Sequence, residues 1–246
     1  MLRCVTWLAP GLPLGLFELV VGELGTTLDV DVALTSRTDR SGPPADDDPF
    51  ARDEVDVGFM CAPSYRDLTS VELLVAPVFT DSRAGHRPVY FSELVVRSGV
   101  TASALHDLAG RRVGYNDAGS LSGYGALVEH LESDAVPVEL VHTGGHLASL
   151  EMLGHGAIDA AAIDSNTLAG RGGLPDGLRV IETWGPYPTQ PVVARRTLEP
   201  QRRADLRAAL VSMTDSSGLR GRLREFGVEC FTPVTDAEYR VVNWTA

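Results

Sequence analysis

The sequence predicts a two-lobed α/β protein built on mostly parallel sheets, and three observations lead there. Short β-type apolar runs alternate with amphipathic helical stretches from Leu2 to Met60 and again from Ala104 to Ile163, and such alternation demands parallel strands with helices packed on the sheet faces. Between the two series lie extended segments, Glu72–Phe79 and Pro88–Arg97, separated by the polar turn Asp81–Gly85, a place for the chain to cross between lobes. Beyond the second series two more extended segments and two helices bring the chain back. The expected organisation is therefore residues 1–86 as the first part of lobe 1, 87–187 as lobe 2 and 188–246 as the return to lobe 1.

Taken in order, Leu2–Leu8 reads as a buried strand and Pro10–Pro13 as a turn. A helix over Leu14–Leu24 follows, with Leu16, Phe17, Val20, Val21 and Leu24 at helical spacing. Leu28–Leu34 is the next strand, residues 37–48 form a polar loop whose run of acids is a solvated surface, and Val55–Met60 is a buried strand. Cys61-Ala-Pro-Ser-Tyr65 opens a short helix. The second series runs through a helix near Ala104–Leu108, strand Arg112–Tyr115, a Ser-rich turn, helix Gly123–Leu131, strand Val136–Val141, helix His146–Leu153 and strand Ile158–Ile163. Leu178–Trp184 and Pro191–Ala194 bracket the turn Gly185-Pro-Tyr-Pro188, and Pro200–Met213 and Ser217–Phe226 are amphipathic helices that close the fold. The chain carries no repeat of fixed period.

At 246 residues and 44% hydrophobic composition the chain buries a substantial core. A formal charge of −12 argues against a nucleic-acid or anionic-membrane surface. All 21 basic residues are arginine, which removes Schiff-base chemistry, lysine-anchored pyridoxal phosphate and a Walker lysine. The 3 cysteines, Cys4, Cys61 and Cys230, are far apart and form no Cys-x-x-Cys pair, so neither a disulfide framework nor a thiolate zinc site is expected. No cofactor or metal is called for. No apolar run approaches the roughly 20 residues of a membrane span. The N-terminus enters a strand without a basic region and a long apolar segment, so the chain as written is expected in the cytoplasm, and in the periplasm or outside the cell only if a leader has been removed.

The most informative stretch is Val113-Gly-Tyr-Asn-Asp-Ala-Gly-Ser-Leu-Ser-Gly-Tyr124. It follows a β-type run and ends in glycine and hydroxyl residues where a helix begins. The first N–H groups of a helix have no intrahelical acceptor and carry the positive end of its dipole, so Ser120 and Ser122 are placed to help hold a phosphate, phosphonate or carboxylate. The same turn also serves as a plain helix cap.

Several segments in fixed order carry a family likeness. They are Asp56-Val-Gly-Phe-Met-Cys-Ala-Pro-Ser-Tyr65, Tyr90-Phe-Ser92 with Leu94-Val-Val-Arg97, Leu108 through Tyr124, Thr143-Gly-Gly-His146, Gly156-Ala-Ile-Asp-Ala-Ala-Ala-Ile-Asp164 and Trp184-Gly-Pro-Tyr-Pro188. Over roughly Met1 to Met213 the chain resembles the phosphonate/phosphate-binding family of ABC-importer solute receptors, of the type II periplasmic-binding-protein fold. The resemblance implies two α/β lobes joined by a hinge of two crossing strands, a small anionic or zwitterionic ligand trapped between them by hinge closure, and ABC importer membrane subunits as partners if the chain is exported. It also implies site residues. The family's Ser-Thr-Ser-Gly turn, which holds phosphonate oxygens, falls on Ser120, Leu121, Ser122 and Gly123, with the middle hydroxyl missing. A hydrogen bond to a charged group contributes about 1.5–3 kcal/mol, so its loss is worth about tenfold or more in affinity, or signals a different ligand. The family's tyrosine, histidine and acidic positions fall on Tyr90, His146 and Asp164. An aromatic wall, an imidazole donor and a carboxylate for an ammonium suit a small zwitterion.

Each residue has a plainer structural role beside its functional one. Asp164 also caps the next helix, and His146 also satisfies the Gly144-Gly145 turn. Tyr65, Tyr90 and Tyr124 also serve as half-buried packing. The same fold is used by cytoplasmic enzymes, chorismate dehydratase among them. For such chemistry the candidates are His146 as acid or base, Asp164 as base and Cys61 or Ser64 as nucleophile, although no triad order, metal spacing or carboxylate pair calls for it. A third reading is a ligand-sensing module. Binding without turnover is the preferred expectation.

Overall fold

A computed structural model of the chain describes residues 1–9 and 11–240. Pro10, expected in a turn, and residues 241–246 of the return segment lie outside the described residues. The elements in chain order are β1 (Leu2–Thr6), α1 (Leu14–Leu28), β2 (Val32–Ser36), β3 (Val57–Phe59), α2 (Ala62–Asp67), β4 (Val71–Phe79), β5 (Val89–Arg97), β6 (Arg112–Tyr115), α3 (Ala126–Ser133), β7 (Glu139–His142), α4 (His146–Gly154), β8 (Ala160–Asp164), α5 (Ser165–Gly170), β9 (Leu178–Pro188), β10 (Val192–Arg195), α6 (Pro200–Ser212), α7 (Ser217–Glu225), β11 (Val228–Thr232) and α8 (Asp236–Arg240). They divide into two compact units. One holds Met1–Val89 and the return segment from Pro188, the other Tyr90–Tyr187.

The first unit is built on a sheet of order β11-β4-β10-β3-β1-β2. Strands β1, β2 and β3 pair in parallel as the βα alternation requires, whereas β10, returning from the second unit, runs antiparallel to both β3 and β4. The sheet is thus mixed rather than mostly parallel, because a strand that re-enters between existing strands need not keep the crossover direction. Helix α1 buries Leu16, Phe17, Val20, Val21 and Leu24 in a core with Val57, Phe59, Val75, Val192 and Leu210. It runs four residues further than its apolar spacing predicts, since Leu28 prolongs the same stripe. It stops where Asp29 turns left-handed, φ 49°, and both Asp29 and Val30 donate their N–H groups to the Gly25 carbonyl. The predicted strand at Leu28–Leu34 therefore begins only at Val32. Strand β11, antiparallel to β4, is absent from the sequence expectation; Gly227, φ 75°, ends α7 and frees the short alternating run Val228–Thr232. At one end of this sheet Asp56, 4% exposed, accepts from Arg3 Nε at 3.0 Å and from Arg195 Nη2 at 2.9 Å.

The second unit carries a sheet of order β7-β6-β8-β5-β9. Strands β6, β7 and β8 are parallel, and β5, the strand that enters the unit, is antiparallel to β8. Leu150, Leu153, Ile158, Ile163 and Leu168 fill the core under the sheet. Two local expectations change. The residues 185–188 expected to turn are part of the long strand β9, where Gly185 at φ 121° lets the backbone pass close to β5, 3.1 Å from the Tyr90 carbonyl to the point where a Cβ would stand. The helix expected from Gly123 opens instead with a π-helical turn, Leu121–Gly125, that passes into α3.

Candidate anion site

The second unit gathers most of the expected site residues at one end of its sheet, and the topology explains why. The carboxyl ends of β6 and β8 point the same way, so Asn116 to Gly123 and Asp164 to Asn166 emerge on one side, as does the Thr143–His146 loop after β7. Because β5 is antiparallel, its first residues stand at that end too: Ser92 is in register with Asp164. Open α/β sheets bind ligands beyond the carboxyl ends of their strands.

Side-chain and backbone bonds tie these loops together. Ser92 Oγ donates to the Ser122 carbonyl at 2.7 Å, and the Phe91 N–H donates to Ser165 Oγ at 3.1 Å. Ser120 accepts the Gly123 N–H at 3.2 Å and so caps the π-helical turn. The Gly144 N–H donates to the Asn116 carbonyl at 3.0 Å. Below it, Thr143 Oγ1 and Ser149 Oγ pair at 2.6 Å and both reach the Gly145 carbonyl, bracing the glycine pair from which α4 starts with His146.

The tightest point is Gly123. A Cβ there would stand 1.8 Å from Asn116 Oδ1 and 2.9 Å from His146 Cε1, so only glycine allows the turn, the amide and the imidazole to meet. The amide's orientation follows from its neighbour, because Asn116 Nδ2 donates to Asp117 Oδ2 at 3.1 Å and only the NH2 end can serve a carboxylate. Asn116 is 5% exposed and its Oδ1 has no hydrogen-bond partner. His146, 9% exposed, likewise leaves Nδ1 without one. Burial pushes the imidazole down to about 4, and a hydrogen bond with the Ala162 carbonyl opposes that shift only in part. The ring is neutral at physiological pH.

The remaining candidates fall as follows. Ser122 is buried beside Ser120. Leu121 is fully buried, its side chain in the protein interior. Asp164 caps α5, accepting from Asn166 N at 2.7 Å and Thr167 N at 3.4 Å. Tyr90 is buried edge-on against Tyr187, ring centroids 6.4 Å apart, and the half-buried Tyr124 packs on Tyr115 at 4.8 Å. Tyr65 belongs to the first unit, where its hydroxyl donates to Asp236 and its ring meets Tyr239 at 5.4 Å. Cys61 and Ser64 are buried in that same unit. Burial pushes the Cys4 thiol up to about 12, which keeps it protonated and inert. Asn116 belongs to the Ser-rich stretch but to no motif of its own; its place directly after β6 is the signal that marks it. Among the described residues no group of three or more His, Cys, Asp or Glu is arranged to hold a metal ion.

These residues bring neutral dipoles, hydroxyls and a helix start together at one end of the second unit's sheet, on a protein of two α/β units. Residues 22–239 match the family model of ABC-transporter phosphonate periplasmic substrate-binding proteins, and the chain belongs to that family. Members of the family bind small phosphonates and work with ABC-transporter membrane subunits. Solved structures share the fold, the type II periplasmic-binding-protein class expected from the sequence. The binding-protein component of an ABC phosphonate transporter from Pseudomonas aeruginosa aligns with TM-score 0.81 at 15% identity, over 97% of this chain and 82% of that one. PhnD1 from Prochlorococcus marinus, in complex with methylphosphonate, aligns with TM-score 0.78 at 15% identity, over 97% and 94%. A protein of Xanthomonas citri bound to ATP aligns with TM-score 0.73 at 16% identity, over 98% and 94%. No helix among the described residues is long and apolar enough to cross a membrane.

Proposed function

We propose that this chain binds a small anionic or zwitterionic metabolite of the phosphonate, phosphate or carboxylate type without turning it over, and hands it to the membrane subunits of an ABC importer. The observation that carries the reading is the meeting at Gly123 of a helix start with two buried polar side chains, Asn116 and His146, of which Asn116 Oδ1 and His146 Nδ1 have no hydrogen-bond partner. Native proteins rarely leave such atoms unsatisfied; the N–H groups at the helix start serve the anionic head, while the two acceptors call for a donor such as an acidic oxygen or an ammonium group of the ligand. The anionic head sits on the Ser120–Gly123 turn, with Tyr90 and Tyr124 beside it and Asp164 toward any ammonium group. The methylphosphonate of the Prochlorococcus protein is a ligand of this class. The family's periplasmic setting goes with this role.

Titration calorimetry with methylphosphonate, inorganic phosphate and aminoalkyl phosphonates tests the reading, followed by mass spectrometry of each ligand after incubation. Stoichiometric binding of an unaltered ligand, weakened by Ser120→Ala with Ser122→Ala while folding is intact, is the expected result. Unchanged affinity in that double variant refutes the turn as the anion site. Recovery of a converted product instead assigns the chain to the enzymes of this fold.

A further inference from the structure

The chain passes between its two units at Val89–Tyr90 and again at Tyr187–Pro188. On the first-unit side the two passages are tied to each other, because the Thr189 N–H donates to the Pro88 carbonyl at 2.9 Å. Thr189 is fully buried and each of its polar groups is engaged. Its Oγ1 donates to the Pro77 carbonyl of β4 at 2.9 Å, and its own carbonyl accepts the Tyr239 hydroxyl of α8 at 2.8 Å. Pro188 precedes it, with φ locked by the ring. Helix α8, Asp236–Arg240, is too short to stand on its own, so its contacts hold it in place. Glu238 Oε2 accepts the Thr235 N–H at 2.6 Å, Asp236 accepts the Tyr65 hydroxyl, and the Tyr239 ring, buried, meets Tyr65 edge-on at 5.4 Å. Without Tyr239 the buried Thr189 carbonyl loses its donor.

We propose that α8 is a clasp on the crossing, and that Tyr239 is a positioning residue for ligand capture that acts through Thr189. On the functional reading above, on which this rests, the units move about the two passages as ligand arrives, and a few φ/ψ angles there absorb the movement. Thr189, bonded to Pro88, Pro77 and Tyr239, does not supply those angles while the Tyr239 hydroxyl holds its carbonyl. The change falls beyond it, at Tyr90 and Tyr187. Releasing the clasp adds Thr189 to the residues that move and softens the crossing, so bound ligand escapes faster.

The test is amide hydrogen exchange of the full chain, read by NMR without ligand and with saturating methylphosphonate, together with the dissociation rate from phosphorus NMR exchange between free and bound methylphosphonate. In the wild type the Thr189 amide is expected to exchange slowly and equally in both states, while the Tyr90 and Tyr187 amides respond to ligand. Tyr239→Phe keeps the ring and removes only the hydroxyl. Its Thr189 amide is expected to exchange roughly fivefold faster and to become ligand-dependent, with dissociation faster by a similar factor. Asp236→Ala, which frees α8 from the Tyr65 hydroxyl and leaves Thr189 untouched, is expected to shift both readouts the same way. Exchange at Thr189 that rises by the same factor with and without ligand, with dissociation unchanged, makes Tyr239 a packing residue only and overturns the proposal. A Thr189 amide that already responds to ligand in the wild type overturns it too. If neither methylphosphonate nor inorganic phosphate alters any amide of the wild type, the functional reading fails and this inference falls with it.

Discussion

Replacing Gly123 with alanine tests the geometry on which the site depends. Gly123 is not among the residues with positive φ, so alanine meets no backbone strain there. It also gains as much as about 1 kcal/mol of helix propensity over glycine. Against this, the new methyl falls 1.8 Å from Asn116 Oδ1 and 2.7 Å from its Cγ, far inside contact distance. Asn116 is buried and held by Asp117, so it must swing out and give up a hydrogen bond worth about 1 kcal/mol, on top of an overpacking cost of about 1–3 kcal/mol. The net expectation is a loss of about 2 kcal/mol, or roughly 4–8 °C in Tm for a chain of this size, together with loss of anion binding. Urea unfolding of Gly123→Ala alone and in an Asn116→Gly background separates the causes. With the amide gone only the contact with His146 Cε1 at 2.9 Å remains, and the penalty is expected to fall to about 1 kcal/mol or less, a coupling of roughly 1 kcal/mol between the two positions. An equal penalty in both backgrounds, or none in either, refutes the reasoning.

The other predictions concern charge and capping. His146 has a folded-state pKa of about 4 against an ordinary 6.5, so the unfolded chain binds the proton first and stability is lost as pH falls through that window. The loss amounts to about 3 kcal/mol at most, and His146→Gln is expected to flatten the stability–pH curve there, as measured by urea midpoints. Asp56 is pushed up by burial, but hydrogen bonds from Arg3 and Arg195 outweigh this and hold its carboxyl below the ordinary range. Its contribution is complete above the unfolded carboxylate pKa and is lost as pH falls below it, while Asp56→Ala, which removes the carboxylate shared by Arg3 and Arg195 but leaves both their contacts with Asp53, is expected to cost about 2 kcal/mol at neutral pH by chemical denaturation. Ser120→Ala removes the oxygen that caps the turn and is expected to cost about 1 kcal/mol and to raise amide exchange at Gly123; exchange equal to the wild type at Gly123 disproves the cap.

The fold was legible wherever periodicity carried it. Leu16, Phe17, Val20, Val21 and Leu24 mark α1 because a helix on a sheet must bury one stripe, and Val57–Phe59 reads as a strand because a parallel strand covered on both faces is apolar throughout. Long-range pairing was not legible. Nothing local in Val192–Arg195 says that it slots antiparallel between β3 and β4, and the five residues of β11 carry too short an alternation to stand out after a helix. The strand at residues 185–188 was missed for a related reason: Gly-Pro-Tyr-Pro is turn chemistry, and only the neighbouring β5 draws it into the sheet.

The site divides along the same line. Ser120 and the turn were visible because capping is written in residue type and spacing, while the importance of Asn116 was hidden because it depends on which atom of a short side chain faces a glycine seven residues away. Leu121 shows how the two levels interact. Its place in the motif suggests a lost ligand contact, yet its side chain is fully buried, so the hydrocarbon contributes to packing under the turn. In the proposed site, with no hydroxyl at Leu121 and no lysine anywhere in the chain, the anion's charge falls to the N–H groups at the helix start and to the two serines.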